Sequence, residues 1–565
     1  MKACHLPRST LLEQRALTPS RRQRSGDVLP GTVIPVSRSA LTPLGPRTGF
    51  ILAHSVRQLS ENLRHADQSG PVSAGATGET LGLRRTGLVS VLPAAGRLIS
   101  RLREGAATRA AQSCVPGRDS TPHAPGEESL AAQAGCALRR HVLEPLIPRV
   151  VDREYGGFLV DFDDRWQPLG PQEKSLEHAT RTTIAFALLD RVMPGEGCDR
   201  LARHGCAFLQ EAMWDREHGG FFARVDRGGR PLWDGLKHPH AVTYAARAFQ
   251  LAERHLPAGE GEAWANRALA WLDEVAWDGR HGGYWGVYRR DNTRYADGAW
   301  LPTPDGRDIF GLSSGFKEIN TQGDAIDMLT AFIERGAGHG CADRLETMVD
   351  LVADRLIDEH GVMPYAYRRD WRPVPDLLRV GYQFIMARHL ALVPGESHRT
   401  ARLVARSRQL VDFCMASARH PGGGFCFAVT ADGRSWPATG PSSDLRQWWV
   451  QVEALYTFHV LAHHESIAPD ARGQYRLECD AQWAVLRRAF FDERHRGLRE
   501  VPMDTPAPRW MAALRRLTGR GTAGLPRKSH PWKDVSHEVG AFVALLGHRE
   551  EPRVDGVRPT PSPTW

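Results

Sequence analysis

The sequence predicts an all-α (α/α)6 barrel over residues 126–550: six inner and six outer helices, with short β-hairpins gathered at one end. Three observations predict it. A glycine-containing phrase recurs six times at intervals of about 60 to 80 residues, a period typical of stacked supersecondary units. Two helical stretches separate successive phrases. Polar residues collect at the start of the helix that follows each phrase.

The phrase reads Asp152-Arg-Glu-Tyr-Gly-Gly-Phe158, Asp215-Arg-Glu-His-Gly-Gly-Phe221 and Asp278-Gly-Arg-His-Gly-Gly-Tyr284. It returns as Asp358-Glu-His-Gly361, then more loosely as Arg419-His-Pro-Gly-Gly-Gly-Phe425 and Asp492-Glu-Arg-His-Arg-Gly497. Paired glycines supply the left-handed positions of a tight turn, and the aromatic and alternating residues that follow start a short strand. The segments from Phe158, Phe221 and Tyr365 read as small hairpins.

Helices before the turns are predicted near 130–150, 199–213, 260–276, 341–357, 398–417 and 472–491. Those after the hairpins fall near 174–191, 240–255, 318–335, 378–392, 447–463 and 535–547. Apolar residues recur at spacings of three and four, as in Ile326, Leu329, Phe332 and Ile333. An alternating set of this kind either closes into a double-layered barrel or stays open as a solenoid. Six repeats without polar capping ends favour closure.

Outside the repeats, residues 1–125 form a leader rich in Arg, Ser and Pro, with 16 Arg and one Lys against seven acidic residues. The chain's basic balance of +8 therefore resides in the leader. Too little apolar surface is present there to offset the entropy of ordering, so disorder is expected, with Gly49–Leu63 and Leu88–Leu102 as the two amphipathic patches. The same composition fits an organellar transit segment or an over-extended start. Residues 551–565 read as a Pro-rich tail. The basic charge allows nucleic-acid contact, but no base-reading or stacking pattern accompanies it, so no nucleic-acid partner is expected.

No apolar run is long enough to span a bilayer, and no signal-type segment is found, so neither membrane association nor export is expected. Nine scattered cysteines without a CxxC pair suit buried thiols in a reducing cytoplasm. No metal-ligand cluster and no Walker-type phosphate loop is expected, hence no metal and no cofactor. A homodimer is compatible with the sequence, which carries no other sign of oligomeric state.

The polar clusters define the candidate site. The first inner helix carries Arg181, the second opens with Lys237-His-Pro-His240, and the third reads Lys317-Glu-Ile-Asn320-Thr-Gln-Gly-Asp324-Ala-Ile-Asp327. Asn320, Asp324 and Asp327 share one helical face. Arg379 and Tyr382 lie near the start of the fourth helix, and the fifth begins Gln447-Trp448-Trp449-Val-Gln451-Val-Glu453. The sixth is entered by Lys528-Ser-His530-Pro-Trp532-Lys533-Asp-Val-Ser-His537. Singly, each residue is ordinary. Barrel closure would bring all six clusters to one mouth.

These residues resemble the N-acylglucosamine 2-epimerase and cellobiose 2-epimerase family over roughly 130–550. Trp448-Trp449-x-Gln451-x-Glu453 is similar to the family's WWxQxE, and Trp532-Lys533-x-x-x-His537 to its WKxxYH. Lys174, Arg181, Lys237, Lys317, Asn320 and Lys528 match further family positions. The resemblance implies an (α/α)6 barrel and cofactor-free inversion at C2 of a reducing sugar through an enediolate, with two histidines on opposite faces. His537 matches one of the two. Asp324 stands where the other is expected, Tyr382 replaces a family histidine in Gly-His, and Ser536 replaces the tyrosine of WKxxYH.

The expected catalytic groups are therefore His537, Asp324, Asp327 and Glu453. Substrate binding is expected from Arg181, Lys237, His240, Lys317, Asn320, Tyr382, Trp448, Trp449, Trp532 and Lys533. Asp324 and Asp327, one turn apart, could share a proton and so replace a histidine. A single base suffices for aldose–ketose isomerisation. The alternatives are a glycoside hydrolase using Asp324, Asp327 and Glu453, or a sugar-binding protein without turnover.

Overall fold

The computed structural model describes residues 128–336, 340–374, 378–430, 445–503 and 527–547. The expected leader, its two patches and the Pro-rich tail lie outside these residues. No helix among them is long and apolar enough to cross a membrane.

Twelve helices form two rings. The inner ring comprises α2 (Leu176–Val192), α4 (Pro239–Ala252), α6 (Ile319–Glu334), α8 (Val380–Leu392), α10 (Trp448–His463) and α12 (Ser536–Leu545). The outer ring comprises α1 (Leu130–Ala137), α3 (Cys198–Phe208), α5 (Glu260–Trp271), α7 (Cys341–Asp350), α9 (Ser397–Ser417) and α11 (Pro469–Val485). Every outer helix except α9 runs on into a wider i→i+5 turn, such as Leu209–Met213 after α3, which unwinds the chain into the glycine turn.

Closure can be read from neighbours. Each inner helix packs against the next, and α12 returns to α2. Outer α3, α5, α7, α9 and α11 lie on the inner helices that precede them, and α1 lies on α12. The first of the described helices thus covers the last of them, which excludes an open solenoid. Inner helices are buried nearly all round because they are covered on both sides, as at Ala245, Ala246, Ala248 and Phe249 of α4.

Strand pairing links the repeats at the mouth. The predicted hairpins exist as single bridges, Phe162 to Pro168, Val225 to Pro231 and Tyr367 to Pro373. The regular pairs run between neighbouring repeats. Strand β1 (Lys174–Ser175) pairs antiparallel with β2 (Arg224–Val225), β3 (Phe316–Glu318) with β4 (Ala366–Arg368), and β5 (Leu378–Arg379) with β6 (Ala428–Val429). Lys237 with Tyr288, the Trp448 N–H to the Glu500 carbonyl, and Phe162 with Ser529 supply the other three links. The mouth is therefore a closed rim of six backbone junctions.

Buried lysines fix this rim. Lys237, fully buried, lies 3.0 Å from Asp215 and donates to the Gly219 and Arg290 carbonyls and to Asn292 Oδ1. Lys174 with Asp152 (3.0 Å), Lys317 with Asp278 (3.1 Å) and Lys528 with Asp492 (2.8 Å) repeat the arrangement. A buried ammonium needs a counter-charge and acceptors for all its hydrogens, and the glycine turn provides both. The turn itself requires glycine: Gly219 and Gly220 have φ of 70° and 77°, and a β-carbon on Gly220 would meet the Trp271 indole. Lys237 and Lys317, expected to bind substrate, are thus committed to bracing the fold.

Candidate active site

All six inner helices begin at the rim, so their N-terminal turns converge there. Local sequence sets each start. Ser175 accepts from the His178 N–H to cap α2, His238 caps α4 ahead of Pro239, and Glu318 caps α6 through the Thr321 N–H. Each of the six helix N-termini contributes a partial positive charge at the mouth, which favours an oxyanion there.

One group of contacts is built on His537. Its Nδ1 lies 2.6 Å from Glu453 Oε1, and Arg388 donates to Glu453 Oε2 at 3.1 Å. Burial would raise the Glu453 pKa, but Arg388 and His537 outweigh it and hold it down to about 2. Glu453 is thus a fixed carboxylate that orients the imidazole, leaving Nε2 for a substrate. The Trp449 ring tilts against His537 at 5.9 Å and against Tyr382 at 5.0 Å, and Tyr382 stacks on Tyr365. Lys533, buried, lies over Trp448 at 4.5 Å, and burial pushes its ammonium pKa down.

A second group crosses from α2 to α6. Arg181 donates to the Tyr244 hydroxyl at 3.1 Å, and that hydroxyl donates to Asp324 Oδ1 at 2.9 Å. Asp324 Oδ2 lies 3.0 Å from His240 Nε2, close enough for an ion pair but outside hydrogen-bond geometry. Asp534 approaches Arg181 at 3.9 Å from the other side. Buried polar atoms without a hydrogen bond lie among these residues, including His178 Nδ1 and Asn320 Oδ1. Orphaned buried polar groups are rare in folded proteins and commonly mark binding sites.

The structure brings together Arg181, His240 and Asp324 in one group, and Trp448, Trp449, Glu453, Lys533, Tyr382 and His537 in the other. The expected proton-sharing pair does not form: Asp324 turns to Tyr244 and His240, whereas Asp327 binds Arg247 at 3.0 Å. Burial would raise the Asp327 pKa, but Arg247, His389 and Arg388 hold it low. Glu453 and Asp327 are each paired with an arginine, an arrangement that favours the carboxylate over the protonated form a hydrolase acid requires. Trp532, partly exposed, faces Phe310 at 5.5 Å.

Sequence reasoning missed Arg388, Asp534 and Phe310. Arg388 lies two turns into α8, outside any motif, and only its approach to Glu453 singles it out. Asp534 sits inside the Trp532-to-His537 segment and is explained once Arg181 needs a carboxylate. Phe310 belongs to the connection before β3, which carries no repeat signal. An i,i+4 histidine pair that sequence reading passed over, His459 and His463, occurs on α10 in the half away from Glu453. No group of three or more residues that could hold a metal exists among the described residues.

Residues 156–297 match the model of the N-acylglucosamine 2-epimerase family. A cellobiose 2-epimerase from Bacteroides fragilis is 22% identical over 379 residues, covering 65% of this chain and 90% of that protein. Among solved structures, a sugar epimerase from a ruminal bacterium has a TM-score of 0.61 at 17% identity, covering 74% of this chain and 98% of its own. The cellobiose 2-epimerase of Bacillus thermoamylovorans gives 0.60 at 17% identity, covering 74% and 98%. A D-mannose isomerase gives 0.60 at 16% identity, covering 74% and 99%. In its barrel, its WWxQxE and its WKxxxH, the chain is similar to the N-acylglucosamine 2-epimerase and cellobiose 2-epimerase family.

Proposed function

We propose that the protein transfers the proton on C2 of a reducing sugar, as a C2 epimerase or an aldose–ketose isomerase working through an enediolate. The observation that carries this reading is His537 held by Glu453 at 2.6 Å, with Arg388 fixing the carboxylate. A proton α to a carbonyl is removed by a positioned base, and the charge that develops on oxygen must be met by preorganised donors. His537 is the base in this reading. Arg181, Lys533 and the converging helix N-termini meet the enediolate oxygens, while Trp449, Tyr382 and Trp532 offer aromatic faces to the sugar.

The relatives named cellobiose 2-epimerase and D-mannose isomerase support the same reaction class, and the pairing of Glu453 and Asp327 with arginines disfavours either as a hydrolase acid. Buried thiols such as Cys206 and Cys414 fit a reducing compartment and so a cytoplasmic enzyme. The test is incubation with cellobiose, mannose, glucose and N-acetylglucosamine in D2O. Deuterium should enter C2 or C1 with wild-type protein and, with His537→Asn, not from the sugar whose C2 hydrogen faces His537. Release of new reducing ends from a glycan without any deuterium incorporation would sink the reading.

A further inference from the structure

We infer that His240 is the second proton-transfer group of this site, placed on α4 and oriented by Asp324 of α6, so that the enzyme is a two-base C2 epimerase. The inference rests on the reading of His537 as the first base. It assigns to a different helix the role for which the third inner helix offers an aspartate.

Four observations carry it. His240 Nε2 and Asp324 Oδ2 are 3.0 Å apart, and Tyr244, itself held by Arg181, fixes the other Asp324 oxygen. A carboxylate locked by a second donor can orient an imidazole without moving. His240 is buried, with Nε2 facing Asp324 and Glu177 Oε1 4.0 Å from Nδ1. His240 stands in the first turn of α4 and His537 in the first turn of α12, the two inner helices that flank α2.

The fourth observation is the cover. Phe310 sits with its ring centroid 4.7 Å from His240, 5.4 Å from His238 and 5.5 Å from Trp532. Asp308 Oδ1 accepts the N–H groups of Phe310 and Leu312 and so fixes the turn that presents the ring. The Phe310 ring packs edge-on against the imidazole and helps to shield it from water. Burial alone would lower the His240 pKa, but Asp324 and Glu177 carry it up to about 8, which suits a proton donor near neutrality.

The step balances. His537 takes the C2 hydrogen as a proton, the C–H electron pair becomes the C1=C2 bond, and the carbonyl pair moves to O1. His240 imidazolium then gives its proton to C2 from the other side, the C1=C2 pair forms the new C–H bond, and the C1 carbonyl returns. Both imidazoles regain their starting states by exchange with water.

The experiment separates C2 exchange from inversion. Wild type, His240→Asn and Asp324→Asn are each incubated in D2O with cellobiose, mannose, glucose and N-acetylglucosamine, and NMR follows C2 deuteration of recovered sugar, epimer and ketose. Folding of each variant is checked by thermal melting, with Asp324→Asn standing in should His240→Asn fail to fold. The expected result is epimer from wild type, with the variants retaining C2 exchange of the sugar whose C2 hydrogen faces His537 but making less epimer by about 100-fold or more. Wild-type levels of epimer from the variants would overturn the inference. Equal loss of exchange and epimer would overturn it too, as the mark of a structural residue. A wild type that exchanges C2 but makes only ketose overturns the inference and leaves the C2 reading standing. A wild type that exchanges with none of the sugars overturns both.

Discussion

Glu453 on α10 and His537 on α12 are joined at 2.6 Å although 84 residues separate them, and the carboxylate is held from behind by Arg388 on α8. Three neighbouring inner helices thus fix one imidazole. The consequence is a reaction that depends on orientation as much as on the base itself.

Glu453→Gln keeps the shape and one acceptor but removes the charge that sets the His537 tautomer. Activity should fall by about 10- to 100-fold, mainly in kcat, as when outer-shell carboxylates behind histidines are removed. Steady-state kinetics on any accepted sugar check this. A change confined to KM would contradict it.

The His240 pair predicts a pH signature in stability. Its folded pKa is raised from 6.5 to about 8, so the stabilisation is fully present below pH 6.5 and is lost as pH rises through 8. The shift corresponds to about 2 kcal/mol. Urea unfolding at pH 6 and pH 9 should show this loss in wild type, and Asp324→Asn should abolish it.

Asp215→Asn leaves the buried Lys237 ammonium without its counter-charge and should cost about 3–5 kcal/mol. Lys237→Met with Asp215→Leu removes both charges and should recover most of that loss. Urea unfolding of the three proteins measures it. Equal damage from the single and double variants would show that the glycine-turn contacts, and not the ion pair, do the bracing.

Gly381 lies where α8 passes the Trp449 indole, and a β-carbon there would collide with the ring. Gly381→Ala should destabilise the protein by about 1–3 kcal/mol and raise KM by displacing Trp449 from His537. Thermal melting and kinetics together test it, and unchanged values in both would remove Trp449 from the sugar site.

The barrel was legible in the sequence because its signal is local and repeated: a glycine turn, a helix on each side, six times over. Partnerships were not. Lys237 and Lys317 looked like binding residues because they precede inner helices, yet their partners Asp215 and Asp278 lie in the preceding glycine phrases, which spacing alone does not connect to them. Asp324 and Asp327 share a helical face, which suggested a pair, but neighbouring α4 offered each a better partner, Tyr244 with His240 for one and Arg247 for the other. The rim junctions escaped for the same reason, since each joins strands from different repeats. What a chain does within one turn can be read directly; what it does across 80 residues needs the closed ring.

The most direct test of the central claim is solvent-deuterium incorporation by wild type and His537→Asn, side by side, with cellobiose and mannose in D2O. The account predicts a C2 or C1 deuteron in product or recovered sugar with wild type, and with the variant none from the sugar whose C2 hydrogen faces His537. Turnover of either sugar by wild type without any carbon-bound deuterium, or undiminished incorporation by His537→Asn, would contradict it.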